Sequence, residues 1–137
     1  LGLIGKEALV DAGETIRVRN GKPDVLVYAL PKPAREATLT IYDADGKPVR
    51  TFPLETTADG RVVLEWDGKD EQGVPLKDGE YRLEVRAIGP EGEPMTIALF
   101  RSLPIDGVNF GGDGLALVSG DREIPFETIV EIRAGRS

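Results

Sequence analysis

The sequence predicts an all-β protein, and three observations carry that reading. Apolar and polar residues alternate over short runs: Val62, Leu64 and Trp66 face one way, Val63 and Glu65 the other. Tyr81, Leu83, Val85 and Ala87 repeat the pattern against Arg82, Glu84 and Arg86. Side chains on a strand change face at every residue, so each run reads as a strand with one buried face. The runs are separated by clusters of Gly, Pro, Asp and Asn, which supply positive φ, fixed φ or local side-chain hydrogen bonds. No stretch has the periodicity of an amphipathic helix of normal length, and no internal repeat is present. Short strands at this spacing predict a small sandwich of the immunoglobulin or fibronectin type III kind.

Taken in order, Leu1 to Gly5 is a short apolar opening. Glu7 to Val10 is a first strand, ended by Asp11–Ala12–Gly13. Glu14 to Arg19 alternates about Ile16 and Val18. Asn20–Gly21 follows, the pair best suited to a two-residue hairpin with positive φ at both positions, and Val25 to Leu30 is expected to be the returning strand. Pro31 and Pro33 stop that strand, because proline cannot donate to a ladder. Leu39 and Ile41 face inward on the next strand. Asp43–Ala44–Asp45–Gly46 turns it, and Val49 to Leu54 returns.

The central stretch Val62 to Val85 holds the sole tryptophan at the entrance of an acidic, glycine-containing loop and Tyr81 just past its exit. Gly89 to Pro94 is a turn leading into a strand from Met95 to Arg101. Leu103 to Phe110 reads as a strand broken at Gly107, and Gly111–Gly112–Asp113–Gly114 as a sharp turn. Leu115 to Val118 and Glu123 to Phe126 are short strands, the second confined to an edge by Pro125. Phe126 to Ile132 fits either a helical turn or a final strand. The two ends are each too short for a core of their own. Pairing them gives a small barrel, residues 1–23 with 103–137, around a sandwich of residues 24–102.

Composition narrows the chemistry. The 137 residues are 40% hydrophobic and 30% charged, enough for a folded core and without the bias of a disordered chain. The net charge of −7 disfavours nucleic acid and anionic lipid surfaces as partners. No apolar run nears the roughly 20 residues of a spanning helix, so membrane insertion is not expected. With no cysteine and no histidine, a Cys–His or Ser–His–Asp nucleophile cannot be built, and disulfides contribute nothing. The chain starts at Leu1 with no signal peptide and no initiator Met, which reads as a fragment or processed product.

Four features resemble sites. Asp67, Asp70, Glu71 and Asp78 suggest a calcium loop, but their spacing lacks the required ligand pattern and bidentate Glu. Acids bonding to their own turn backbone explain them better, as they do Asp43 and Asp45 before Gly46. Among 24 acidic residues nothing selects a facing carboxylate pair for glycoside hydrolysis. Gly111 to Gly114 resembles a phosphate cradle, yet strand-like Leu115 to Val118 follows where a helix is needed, so a hairpin is expected. Trp66 and Tyr81 could stack a sugar, but both fall on core-facing positions. The expectation is therefore no catalytic residue, no metal site and no cofactor.

The stretch from Trp66–Asp67–Gly68–Lys69–Asp70 through Gly73, Leu76, Gly79 and Tyr81 recurs in immunoglobulin-like modules of exported bacterial proteins. Leu3–Ile4–Gly5–Lys6, Tyr28–Ala29–Leu30–Pro31 and Leu39 through Arg50 follow in the order found in one family. So do Gly107–Val108 and Ile129 to Ile132 near the end. The chain as a whole resembles the bacterial flagellar hook-capping family, whose members are also called hook assembly or basal-body rod modification proteins. The resemblance implies a Tudor-like barrel from the two ends with a fibronectin type III-like sandwich inserted between them. It implies a non-enzymatic scaffold, exported by the flagellar apparatus, that sits at the tip of the growing hook. There it contacts hook protein and self-associates in the full-length cap. The family's N-terminal region, which carries the export signal, has no counterpart in these residues. The competing expectation is an accessory sandwich of a secreted enzyme or adhesin that binds sugar or protein, and an acid-catalysed hydrolase ranks behind both.

Overall fold

The computed structural model describes residues 2–135. Leu1, where the predicted apolar opening starts, and residues 136 and 137, where the predicted barrel segment ends, lie outside the described residues. Strands follow in the order β1 (Glu7–Asp11), β2 (Thr15–Arg19), β3 (Lys22–Pro23), β4 (Val25–Ala29), β5 (Glu36–Tyr42), β6 (Pro48–Pro53) and β7 (Arg61–Leu64). They continue with β8 (Gly79–Ile88), β9 (Ala98–Pro104), β10 (Gly107–Gly111), β11 (Gly114–Ser119), β12 (Arg122–Pro125) and β13 (Ile129–Arg133). The only helical element among the described residues is a 3-10 turn, Phe126–Thr128. Contacts divide the chain into two compact units, Leu1–Asp11 with Phe100–Ser137, and Ala12–Leu99.

The unit Ala12–Leu99 is a sandwich. One layer has the order β3-β2-β8-β5-β6 and is antiparallel throughout. The opposing layer contains β4 paired with β7, with Leu26 against Leu64 and Tyr28 against Val62. The period-two pattern does what it predicts: Ile16, Val18, Leu39, Ile41, Leu83 and Leu26 converge in one buried cluster. Each such side chain contributes about 1.5–3 kcal/mol by leaving water. Asn20 (φ 51) and Gly21 (φ 76) form the expected tight turn, whose two positive φ values match the strand twist. The strand it returns to differs from expectation. On its hairpin side β2 pairs with the two residues of β3, Asp24 N–H adds one more bond to Arg17 O (3.0 Å), and β4 pairs with β7 instead.

In the unit Leu1–Asp11 with Phe100–Ser137, β1 is flanked by β13 and β9, with a register shift between Leu9 and Val10. β10, β11 and β12 form an antiparallel meander. Ala8, Ile105 and Leu117 make one small core with Val108 and Ile132, and Val10, Leu103 and Ile124 make another; Ile129 packs on both. Gly5 N–H donates to Ile105 O (3.1 Å), and Ile105 N–H to Lys6 O (2.8 Å), closing the apolar opening onto the unit. Pro125 lies on edge strand β12, as expected.

Three boundaries move. The strand expected over Met95–Arg101 runs from Ala98 to Pro104, because Met95 N–H is taken by Ala87 O in a local bridge. The break expected at Gly107 falls at Ile105–Asp106, and Gly107 opens β10. Phe126 to Ile132 is both alternatives in succession, a 3-10 turn and then β13. Residues 12–23, grouped on sequence with the chain ends, supply β2, which pairs with β8 and buries Ile16 and Val18 in the sandwich core.

We propose that residues 12–99 are a domain in the folding sense. Expressed alone, they are expected to unfold in one cooperative denaturant transition, with dispersed amide signals in the native state. A non-cooperative transition with collapsed signals contradicts this.

Candidate functional site

The central stretch is built around two rings. Trp66 and Tyr81 are 5% and 8% exposed, and they meet edge to face with centroids 5.8 Å apart at 80°. Each finds a loop carbonyl for its polar atom: Trp66 Nε1–H donates to Lys69 O (2.9 Å) and Tyr81 O–H to Lys77 O (2.6 Å). Burial first, then the charges of Asp43 and Asp78, push the Tyr81 hydroxyl above its ordinary pKa. Neither ring forms an open sugar platform.

The loop between them is itself a small hairpin. Leu76 N–H reaches Gly68 O (2.9 Å), and its tip is the turn Asp70–Gly73. Asp70 Oδ1 accepts from Gln72 and Val74 N–H, while Gly73 N–H donates to Asp70 O and Asp70 N–H to Val74 O. The β5–β6 turn repeats this geometry. Asp43 Oδ1 accepts from Asp45 and Lys47 N–H, Gly46 N–H donates to Asp43 O and Asp43 N–H to Lys47 O. Asp at the first position and Gly at the fourth suit such turns for different reasons, one as acceptor and one for positive φ.

The turn Gly89–Glu93 has the same backbone bonds but no Asp at its head. The Glu93 carboxylate takes that place from the other end. It accepts Glu91 N–H (2.8 Å), and a Cβ on Gly89 would lie 2.4 Å from it. Lys32 Nζ, 2.8 Å away, together with backbone N–H donors, holds the Glu93 carboxyl down at about 2.

The remaining loop acids are also committed to turns and edges. Asp67 accepts Lys69 N–H (3.0 Å) and the Arg50 guanidinium (2.9 Å), and both lower its pKa. Asp78 Oδ2 accepts Asn20 N–H (2.8 Å) and Oδ1 accepts Gly21 N–H (3.1 Å), fastening the β2–β3 turn to the start of β8. Glu71 accepts Thr51 N–H (2.8 Å) through Oε1, and its own N–H donates to Val49 O (3.1 Å). Arg50 also donates to Lys69 O and stacks over Phe52 with its guanidinium carbon 4.7 Å from the ring centre. The loop thus covers the outer edge of β6, a strand that would otherwise offer free N–H and C=O groups. The sequence does not single out Glu71 and Arg50 for this role. They stand 21 residues apart (71 − 50), and only the fold brings them together.

Several large apolar side chains stand exposed on the surface. Gly111–Gly112–Asp113–Gly114 is the tight β10–β11 turn, with Gly111 opposite Gly114. Phe110, opposite Leu115 on the inward-facing side of that hairpin, projects past the core and is 77% exposed. Val74 at the central loop's tip is 55% exposed and Val130 on β13 is 53% exposed. A surface hollow of ≈ 490 Å³ lies beside Tyr81, between Asp43 and Pro75–Glu80. Sequence reading missed Phe110 as a surface residue. The signal was present: a ring next to a glycine turn has no neighbouring side chains to cover it.

The family model described as the FlgD Ig-like domain matches residues 13–91, nearly the whole sandwich unit. The chain belongs to the FlgD Ig-like domain family. FlgD from Salmonella typhimurium, a basal-body rod modification protein, is 31% identical over 129 residues, covering 86% of this chain and 53% of that protein. FlgD of Salmonella typhi gives the same values. The chain therefore spans about half the length of these curated relatives.

Among solved structures, FlgD from Xanthomonas campestris is 26% identical with a TM-score of 0.80, covering 96% of this chain and 94% of that one. That structure gives insights into the hook capping essential for flagellar assembly. FlgD from P. aeruginosa is 26% identical with a TM-score of 0.68, covering 95% and 97%. A truncated FlgD from Helicobacter pylori, at 17% identity and a TM-score of 0.58, shares the fold and covers 100% and 98%. The FlgD architecture is thus an Ig-like or fibronectin type III-like sandwich inserted in chain order into a small Tudor-like barrel made by the two ends.

The Glu93 turn gives a pH prediction. Its folded pKa of about 2 lies below the ordinary 4.5, so its contribution to stability is complete above pH 4.5 and is lost as pH falls toward 2. Carboxyl NMR titration is expected to give Glu93 a midpoint near 2, raised by Lys32→Met. A wild-type midpoint near 4.5 contradicts the geometry.

Proposed function

We propose that this chain is part of a hook cap: a non-enzymatic scaffold that promotes addition of hook subunits at the distal end of the growing flagellar hook. The observation that carries the reading is the match to FlgD of Xanthomonas campestris over 96% of the chain, a relative tied to hook capping. The chemistry of the central loop supports it. Its carboxylates accept backbone N–H groups within the chain, and its two rings are closed into the core, so the action is assigned to the outer surface. The partner is flagellar hook protein, met through exposed apolar side chains such as Phe110, Val74 and Val130. Copies of the full-length protein associate with one another, and the protein reaches the tip of the hook by flagellar export.

The test is direct binding to hook protein, with Phe110→Ser, Val74→Ser and Val130→Ser made singly. All three positions are exposed, so the fold is expected to survive. At least one variant is expected to weaken binding by about tenfold, the loss typical of one interface anchor. Wild-type binding in all three, or no binding by the wild type, contradicts the reading.

A further inference from the structure

We propose that Asn20 is a latent self-modification site, poised to deamidate through Gly21, and that Asp78 holds this reaction in check. In an Asn–Gly pair the Gly nitrogen loses its proton and attacks the Asn side-chain carbon Cγ. The Cγ–Nδ2 bond breaks, ammonia leaves and a five-membered succinimide forms. Water then opens the ring at either carbonyl, giving aspartate or isoaspartate, so the net change is water in and ammonia out. Glycine after Asn leaves the nucleophile unhindered, and this pair is exposed.

The structure opposes the first step in two ways. The proton that must leave Gly21 N is donated to Asp78 Oδ1 at 3.1 Å, and Oδ2 accepts the neighbouring Asn20 N–H at 2.8 Å. An amide anion formed there would stand against a carboxylate, and like charges at that distance repel. The same two bonds fix Asn20 at φ 51 and Gly21 at φ 76, which restricts the rotation that brings Cγ onto the Gly nitrogen. The Asp78 pKa is lowered, first by the Gly21 N–H and then by that of Asn20, so the same two bonds favour the charged carboxylate.

The site also has a structural readout. A Cβ placed on Gly68 would lie 3.0 Å from Gly21 O, so the turn's carbonyl rests against the entrance of the Trp66 loop. Isoaspartate at position 20 adds a methylene to the turn backbone, and either product adds a negative charge to a residue whose N–H is bonded to Asp78. Modification there loosens the contact between the β2–β3 turn and the central loop.

The test follows deamidation of the 137-residue chain at neutral pH by peptide mass mapping with isoaspartate detection. Native chain, the same chain unfolded in guanidinium, and native Asp78→Ser, Asp78→Ala and Asp59→Ala variants are compared. Retention of the wild-type unfolding curve shows that the variants are folded. Native Asn20 is expected to react about tenfold more slowly than in the unfolded chain, a barrier difference of ~1.4 kcal/mol. Asp78→Ser and Asp78→Ala are expected to recover most of that factor, and Asp59→Ala none of it. Equal rates in native and unfolded chain overturn the proposal. So do unchanged rates in both Asp78 variants, and slower reaction without Asp78 would show that its carboxylate promotes the reaction.

Discussion

The contact between Trp66 and Tyr81 is the constraint from which the rest of the sandwich unit follows. Two rings set 5.8 Å apart and edge to face close the end of the core where the chain leaves one layer and enters the other. Their polar atoms would be costly to bury unpaired, and the loop between them supplies both acceptors, Lys69 O and Lys77 O. The loop cannot relax outward without exposing the rings, and the rings cannot turn without losing the loop carbonyls. From this fixed loop, Glu71 and Arg50 cover the edge of β6, and Asp78 holds the β2–β3 turn.

The acidic residues look different once placed in this frame. A net charge of −7 suggests a surface prepared for cations or basic partners, yet the loop acids act mainly as caps for backbone N–H groups. Asp43 and Asp70 do so from the first position of their turns, and Glu93 does so from the last. One turn geometry is thus reached by two arrangements of the carboxylate. A backbone held by its own side chains at each bend presents a defined outer shape. The family relationship to FlgD gives that shape its context.

What the sequence disclosed divides along the range of the interactions. Local signals were legible: the alternation that buries Leu39 and Ile41, the Asn20–Gly21 turn, the core-facing rings and the edge role of Pro125. Each depends on residues a few positions apart, whose physics is complete within the window. Pairing was not legible. That β4 joins β7 rather than β2 depends on which distant strand the chain meets after the turn. The coverage of β6 by Glu71 likewise depends on where a loop lands. The spacing of Phe126 to Ile132 serves both a short 3-10 turn and a strand, and the structure uses both. The exposure of Phe110 follows from how far the hairpin outruns its core, a length that periodicity does not encode.

Because Trp66 is the sole tryptophan, its fluorescence reports directly on the closed ring pair. The account predicts a blue-shifted emission that acrylamide quenches poorly in the native chain, with both features lost on unfolding. Native emission at the wavelength of indole in water, with free quenching, would mean that the rings line an open groove and that the loop is not built around them.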